Sequence, residues 1–467
     1  MLSPLEGRLG MVKDLTKGKP TSLIITFALS MIASNVLSYV YGMTDSLMVG
    51  WYVSTDALGA VGAASPFCDL IQGFAASTIS GFSLLAGRTF GAGDRNSLRR
   101  LMANVLYLSG GLVLIATLLC TVFCRTFVVW MNTPEGFVEL ATSYLSVIMV
   151  GMPISAISWV CGAMFRALGD SKTPLMISGL CGALNVFFNF LFLAVFPLGI
   201  VGAAYGTLCA SLTGAILYLI CFRRRMKVLH FGREDAAFSP FISRQLLRDG
   251  LPLGMLNSVI TVGALILQMA INGHGENVVT GINIGTKLLS ILWMMIQSFE
   301  GAVVYFCAQN IGAGRVERVR GAVRNVLLIC IGIAGAFAAL FILFGRYYYM
   351  LYVGENETLI KYASDYIFTQ VIFFPFMAML CIWRGGLKGI GNTMPAVMCG
   401  VIELISRLAV SFLFADNLTV LFFAGPAAWV TASIYLGLSF PHFLKKKEAA
   451  QKIASPQPER ETVEVRS

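Results

Sequence analysis

The amino-acid sequence predicts an all-α integral membrane protein with twelve transmembrane helices in two six-helix bundles, related by a pseudo-two-fold axis along the membrane normal. The prediction rests on the apolar composition, on the placement of basic residues between apolar segments, and on an internal repeat. Of the 467 residues, 57% are hydrophobic and 12% are charged, whereas a soluble domain carries roughly 25% charged residues. This composition excludes an ordinary soluble enzyme.

Twelve apolar segments are long enough to cross a bilayer, which takes about 20 residues of helix. We place them at 22–44, 57–86, 101–124, 138–163, 174–196, 200–222, 246–272, 279–307, 321–345, 362–383, 395–415 and 418–443. Twenty-nine of the 34 Lys and Arg residues lie at or beside the termini and the even-numbered loops, and three lie in odd-numbered loops. Because basic loops stay in the cytoplasm, we expect a multi-pass protein of the cell (cytoplasmic) membrane with both termini cytoplasmic. Topology also explains the net charge of +10 without a nucleic-acid partner.

The two halves of the chain repeat each other. Residues 91–105 align with residues 312–326 at a spacing of 221, with six identities. Each half holds an even number of segments, so both copies enter the membrane from the same side, as in transporters with parallel repeats. The predicted divisions are a cytoplasmic N-terminal segment (1–21), an N-lobe with helices 1–6 (22–222), a basic cytoplasmic linker (223–245), a C-lobe with helices 7–12 (246–443) and a disordered cytoplasmic tail (444–467).

The sequence gives little support for a metal site or for an enzyme active site. The 11 Cys residues lie in or at the ends of apolar segments, and the three His residues are far apart. Neither the spacing of a disulfide framework nor that of a metal site occurs. We therefore expect no catalytic residues, no cofactor and no metal ion, except for Na⁺ at an ion-coupling site. A membrane-embedded enzyme and a passive channel stay open as alternatives.

Several short motifs, by their order and partial duplication, resemble the MATE family (multidrug and toxic compound extrusion), whose members are cation-coupled antiporters. The motifs are DSLMVG at 45–50, GAG at 91–93 and again at 312–314, FRALGDSKTP at 165–174, the pair of Asn residues at 185 and 189, and GAA with a following Thr at 202–207. The resemblance covers roughly residues 20–443. It implies a two-lobed transporter with a cation site in the N-lobe.

Charged residues are rare inside the predicted helices, and each is costly in hydrocarbon, so each suggests a function. Asp45 lies late in the first apolar segment and has no Lys or Arg close to it in sequence. At a carboxylate short of water and of a basic partner, a proton, a metal ion and a cationic compound compete. The resemblance implies that Asp45 belongs to the N-lobe cation site. The alternative is a solvated acid or a helix cap in an outer loop.

Asn185 and Asn189 are spaced i, i+4 and therefore face the same side of one helix. Their amides can coordinate a cation or hydrogen-bond a carboxylate. The resemblance implies a cation-coupling set of Asp45, Asn185, Asn189 and Thr207. Family members with this site often have Asp where this chain has Asn189, so the predicted site carries one negative charge fewer. The coupling ion stays open between H⁺ and Na⁺.

Other polar residues in the apolar segments are candidates for a substrate cavity, with packing or pairing as the alternative. They are Tyr144, Gln72, Glu300, Asn257 and Gln297. Glu403 and Arg407, spaced i, i+4, are expected to form a structural ion pair. The sequence leaves open whether Asp69 and Lys287 face the cavity or pair with other side chains.

The sequence therefore predicts a monomeric antiporter of the lipid bilayer that exports small organic compounds, cationic and amphipathic, by alternating access driven by H⁺ or Na⁺. The alternative from the same wider group of transporters is a flippase of a lipid-linked precursor. A flippase would need basic residues that face the cavity and hold a pyrophosphate. Away from the ends of the predicted helices, only Lys287 and Arg407 are basic, which disfavours that alternative.

Overall fold

The computed structural model describes residues 14–131, 133–225, 232 and 234–454. This part of the chain contains helices and turns and no strand. Ten of its helices are long and apolar enough to cross a membrane, and two pairs of shorter helices, each bent at a break, make one further span each. The twelve spans form two six-span lobes related by a pseudo-two-fold axis along the membrane normal. The predicted fold class is confirmed.

The N-lobe ends at Arg225. Its helices are α1 (Pro20–Tyr52), α2 (Thr55–Gly91), α3 (Arg95–Val122), the short α4 (Cys124–Trp130), α5 (Glu135–Val150), α6 (Met152–Ala167), α7 (Lys172–Asn189, continued by a π-helix over Phe190–Val195) and α8 (Ile200–Arg225). Side-chain caps fix two of the helix starts. Ser54 accepts the N–H of Ala57 at the start of α2 (3.0 Å), and Asp94 accepts that of Ser97 at the start of α3 (3.0 Å). Such caps satisfy donors that the first helical turn leaves free.

The C-lobe repeats this order. Its helices are α9 (Pro240–Asn272), α10 (Glu276–Gly312), α11 (Val316–Val353), α12 (Glu357–Val371), α13 (Phe374–Ile390), α14 (Thr393–Leu413), the single turn α15 (Leu418–Leu421) and α16 (Ala424–Ala454). The fourth span of each lobe is bent, by 48° between α5 and α6 and by 53° between α12 and α13. Pro153 and Pro375 stand second in α6 and α13. Proline is accommodated in the first turn of a helix but cannot continue a preceding one. A proline at the equivalent position therefore accounts for the bend in each span.

The backbone conformation explains why glycine recurs in the duplicated loop motifs. Gly93 and Gly314 close the two GAG motifs with φ angles of 76° and 69°. Gly169 and Gly391 follow α6 and α13 with φ angles of 89° and 90°. Glycine adopts this left-handed conformation at no steric cost and commonly ends helices in this way. The motif glycines therefore mark four helix ends at the same side of the molecule.

That side, which we call the basic end, comprises residues 14–19, 92–94, 168–171, 313–315 and 391–392. At Gly91 and Gly312 the backbones of the two lobes meet there without an intervening side chain. A Cβ placed on Gly91 would lie 2.0 Å from the carbonyl oxygen of Gln309. A Cβ on Gly312 would lie 1.9 Å from the carbonyl oxygen of Arg88. These two contacts are counterparts in the repeat, so α2 and α10 cross next to the pseudo-two-fold axis.

Two segments cross from one lobe to the other at the basic end. The segment before α1 binds the C-lobe, where the Gln309 side chain accepts the N–H of Leu15 (2.9 Å). The segment before α9 binds the N-lobe, where Asn104 accepts the N–H of Ser239 (2.9 Å) and the hydroxyl of Ser243 (3.1 Å). The first helix of each lobe is thus tethered to the opposite lobe.

Contacts between the lobes continue away from the basic end. Contact between α1 and α10 reaches mid-depth, where Asn35 donates a hydrogen bond to Ser298 (3.0 Å). The described contacts therefore join the lobes from the basic end to mid-depth.

The C-terminal boundary corrects the prediction. α16 continues to Ala454, so residues 444–454 are helical, and the prediction of a disordered tail is wrong for them. They stay helical because the C-lobe holds them: Arg320 donates to Glu448 (2.7 Å) and the Gln451 amide donates to the Gly314 carbonyl. Residues 1–13 of the predicted N-terminal segment, 226–231 and 233 of the predicted linker, and 455–467 of the predicted tail lie outside the described residues.

Replacing Gly91 by Leu should open the basic end, because the added side chain cannot fit against the backbone of Gln309. The measurement is the distance between spin labels at Asn96 and Glu317, two exposed positions on α3 and α11, in a cysteine-free chain. We expect the label distance to lengthen. Gly321→Leu, at a glycine with no atom within 4 Å of its Cβ position, is the control. An unchanged distribution in Gly91→Leu would contradict the closed contact.

Candidate functional site

Asp45 lies on α1 in the half of the helix away from the basic end and is partly buried. Its carboxylate accepts a hydrogen bond from the side-chain amide of Asn189 on α7. Among the described residues, no Lys or Arg forms an ion pair with it. The acid is therefore held by a neutral donor and keeps its formal charge uncompensated.

The two asparagines of α7 connect Asp45 to α8. Asn185 and Asn189 are 2% and 0% exposed. The Asn189 amide also donates to Asn185 Oδ1 (3.4 Å), and the Asn185 amide donates to Thr207 Oγ1 (3.3 Å). The structure thus brings all four residues of the predicted cation-coupling set into one hydrogen-bonded chain across three helices.

The local backbone makes this approach of α7 and α8 feasible. A Cβ on Gly206 would lie 2.0 Å from Asn189 Oδ1, so only glycine fits beside that side chain. Directly after Asn189 the helix changes to a π-helix over Phe190–Val195, a feature frequent at functional sites. The sequence analysis missed Gly206, although it lies within the GAA motif region at 202–207.

The site offers oxygen ligands of the kind that hard cations prefer. Asp45 supplies a carboxylate, Asn185 and Asn189 supply amide oxygens, and Thr207 supplies a hydroxyl. Asn189 Oδ1 is buried and accepts no hydrogen bond within the described part of the protein. The described residues contain no group of three or more His, Cys, Asp or Glu that could hold a metal ion. With a single carboxylate, the arrangement suits a proton or a monovalent cation such as Na⁺.

Tyr144, predicted as a cavity residue, is buried next to this site. Its hydroxyl lies near the Asp45 carboxylate. Tyr41, one turn before Asp45 on α1, also lies within electrostatic range of the carboxylate and packs against Gly182 of α7. Two tyrosines therefore form part of the surroundings of Asp45, and the sequence analysis singled out one of them.

The remaining cavity candidates lie on α2, α9 and α10, helices that take part in the contact between the lobes. Asn257 of α9 packs against Gly73 of α2, at the contact between the lobes. Asp69, one turn from Gly73 on the same face of α2, is exposed. Gln72 is partly buried and Gln297 of α10 is exposed. The structure does not gather these side chains into one cluster with Asp45.

Glu300 was a candidate for lining the C-lobe cavity, with pairing to another helix as the alternative, and the structure has it paired. The side chain is 4% exposed. It accepts two hydrogen bonds from Arg384 (3.0 and 2.8 Å) and one from Lys388 (2.7 Å). Two neighbouring cations on α13 satisfy the carboxylate, so it cannot attract a third.

The Glu300 contacts belong to a buried chain of five alternating charges, which we call the C-lobe charge chain. Its members in order are Lys388, Glu300, Arg384, Glu403 and Arg407. Arg384, 2% exposed, lies 3.3 Å from Glu403, and Arg407 lies 3.5 Å from the other oxygen of Glu403. Glu403 and Arg407 are therefore within ion-pair distance, as one end of a longer chain. The i, i+4 spacing of Arg384 and Lys388 was the available signal for it.

Lys287, which the sequence left open, is exposed on α10. Its ammonium lies 5.1 Å from the centre of the Tyr352 ring on α11, the geometry of a cation–π contact.

Comparison with known proteins identifies the family. The sequence profile of the MatE family matches residues 30–191 and again residues 252–413. The chain belongs to this family. The matched stretches occupy the same part of each lobe, so the MatE unit occurs twice, and the resemblance to MATE proteins is confirmed.

The MatE relatives are similar over nearly the whole chain. The probable multidrug resistance protein YpnP of Bacillus subtilis is 26% identical over 440 residues, which cover 91% of this chain and 94% of YpnP. The probable multidrug resistance protein NorM of Thermotoga maritima is 28% identical over 399 residues, covering 83% and 84%. A crystal structure of MATE in the bent conformation shares the fold, with a TM-score of 0.87 at 21% identity over 94% of this chain and 98% of that one. The chain is thus similar to multidrug extrusion transporters.

Arg384→Gln should strongly destabilise the C-lobe, because it leaves Glu403 and Glu300 with fewer partners in a buried position. Breaking a buried ion pair from one side costs about 3–5 kcal/mol. We expect a large fall in the thermal unfolding temperature of the purified protein. Lys388→Gln, at the more exposed end of the chain, should cost less. Equal stability of Arg384→Gln and wild type would show that the C-lobe charge chain is not structural.

Proposed function

We propose that this MatE-family chain is a cation-coupled antiporter that exports organic compounds, cationic and amphipathic, by alternating access driven by H⁺ or Na⁺. The observation that carries the proposal is the Asp45 site, a carboxyl in a membrane-spanning helix whose described hydrogen-bond partner is an amide. The multidrug resistance names of YpnP and NorM support organic substrates.

An ionised carboxylate away from bulk water is destabilised unless a positive charge accompanies it. A proton, Na⁺ or the cationic group of a substrate can each supply that charge at Asp45, but only one of them at a time. Binding of the coupling ion would therefore displace the substrate, which is the requirement for exchange. The ligands sit on α1, α7 and α8, and α1 also contacts the opposite lobe through Asn35, so occupancy can bias the positions of the lobes.

In this proposal the basic end faces the cytoplasm, because the termini and even-numbered loops on that side hold 29 of the 34 Lys and Arg residues. The contacts of Gly91 and Gly312 then close the lobes on the cytoplasmic side. One chain encloses the whole path between its two lobes, so the proposed unit is a monomer in the cell membrane. It needs no cofactor and no nucleic acid.

A flippase of a lipid-linked precursor has weaker support. Such an activity needs Arg or Lys free to hold a pyrophosphate. Of the two candidates away from the ends of the predicted helices, Lys287 lies over the Tyr352 ring and Arg407 pairs with Glu403. A passive channel is the other alternative and differs from an antiporter in its response to ion gradients.

Proteoliposomes that contain the purified chain and a fluorescent organic cation would test the proposal. Na⁺ and pH gradients should be imposed separately and in both directions. Dye movement against its own gradient under one of them supports antiport and identifies the coupling ion. Movement that ignores both gradients would indicate a channel and refute antiport.

Asp45→Asn should abolish gradient-driven dye transport, because the neutral amide no longer needs a cation to compensate it. The fold should persist, since Asn can still accept the hydrogen bond from Asn189. Transport in proteoliposomes is the measurement, with size-exclusion chromatography as the check on folding. Asp56→Asn, which removes an exposed acid in the first turn of α2, is the matched control. Undiminished transport by Asp45→Asn would rule out the proposed role.

Gly206→Ala should reproduce that loss without removing any ligand. The new methyl group would collide with Asn189 Oδ1, so Asn189 must turn away from Asp45. The control is Gly111→Ala on α3, where no atom lies within 4 Å of the Cβ position. If Gly206→Ala transports like wild type while Asp45→Asn does not, the hydrogen bond between Asn189 and Asp45 is not needed for transport.

A further inference from the structure

A second polar site lies at the basic end, between the lobes and far from Asp45. It is a cavity of about 310 Å³. Its wall comes from α2 of the N-lobe and, in the C-lobe, from α9, the loop between α13 and α14, and α16. The polar lining residues are Arg88, Gln245, Arg248, Asp249, Asn392 and Lys447.

The cavity carries an excess of positive charge. Arg88 donates to Asp249 across the lobe interface, so one of the three cations is compensated. Arg248 and Lys447 remain, and Lys447 lies within electrostatic range of Arg88, Arg248 and Asp249. Three basic side chains therefore converge on one cavity that holds a single carboxylate.

Not every hydrogen-bond donor among the described residues of this cavity has a protein acceptor. The second terminal nitrogen of Arg88 is buried against Gly391 and has no acceptor within the described part of the protein, so a ligand would reach it only after the side chain turns. Asn392 adds an amide to the same wall. Guanidinium, ammonium and amide donors together are the groups that recognise phosphate oxygens.

We propose that this cavity binds a phosphate group and thereby holds the basic end closed. The ligand would contact Arg88 of the N-lobe together with Arg248 and Lys447 of the C-lobe, so it would bridge the lobes. When the lobes separate at the basic end, these residues move apart and the site is lost. The phosphate can come from the headgroup of an anionic lipid, because basic cavities between helices at the membrane surface attract such headgroups, or from free phosphate.

The inference goes beyond the proposed antiport and does not depend on the exported compound. Its readout is the population of the closed basic end, measured by the label distance between Asn96 and Glu317. The chain is reconstituted in nanodiscs of phosphatidylcholine, with inorganic phosphate or with chloride at the same ionic strength. A second series replaces part of the phosphatidylcholine by phosphatidylglycerol.

A ligand that binds only the closed state and is present at ten times its dissociation constant should raise the closed-to-open ratio about tenfold. A rise with phosphatidylglycerol alone identifies a lipid headgroup as the ligand. A rise with inorganic phosphate identifies the free anion. Unchanged ratios in both series of the wild type would overturn the proposal.

Lys447→Gln should remove the response. The matched control is Lys446→Gln, which deletes the same charge from the neighbouring, exposed position of α16 and should respond like wild type. If both variants lose the response to phosphate or phosphatidylglycerol equally, the response comes from general surface charge. That result would contradict a phosphate site in the cavity. Because no transport is measured, this test can fail while the Asp45 experiments succeed, and the reverse.

Discussion

The carboxylate of Asp45 is held by an amide and not by a cation, and the proposed chemistry depends on that choice. The C-lobe treats its buried acids in the opposite way. Glu300 and Glu403 each lie between two basic side chains, so their charges are compensated permanently. An uncompensated charge in an interior with little water is costly in either lobe. In the C-lobe, basic side chains compensate the buried acids. In the N-lobe, the proposal assigns the compensation of Asp45 to an ion or substrate from solution.

The internal repeat is preserved where the lobes close and is broken where they differ in chemistry. The contacts of Gly91 and Gly312 are counterparts and bring α2 and α10 together at the axis. At the proposed ion site the correspondence is partial. The C-lobe has a hydrogen bond between Ser406 and Thr431 (2.8 Å), near the place that the repeat gives to the one between Asn185 and Thr207. Neither Asp nor Asn occurs at 409–412, where the repeat places the counterpart of Asn189. Duplication thus preserved the contact between α2 and α10, and the proposed ion site belongs to one copy.

The twelve spans and the duplication could be predicted from the apolar segments and the repeated motifs. The set of Asp45, Asn185, Asn189 and Thr207 was implied by the resemblance to MATE proteins, and helical spacing alone placed only the two asparagines on one face. The partners of Glu300 could not be predicted. Arg384 and Lys388 follow the apolar segment that ends at residue 383, so they resemble loop charges, whereas α13 continues to Ile390. Their burial depends on which helices pack together, and that is tertiary information. Asn189 was placed correctly, but its dependence on a neighbouring glycine follows only from the distance between α7 and α8.

The tethers at the basic end constrain how the lobes can separate. The segment before α1 is bound to Gln309 of the C-lobe, and the segment before α9 is bound to Asn104 of the N-lobe. If the lobes part at this end as rigid bodies, both sets of hydrogen bonds must break. Otherwise α1 and α9 must each follow the opposite lobe and slide against their own. Because α1 carries Asp45, the second route would change the distance between Asp45 and the asparagines of α7. Opening of the basic end and release of the ion would then be one movement, since the helix that closes the site is the helix that is tethered across.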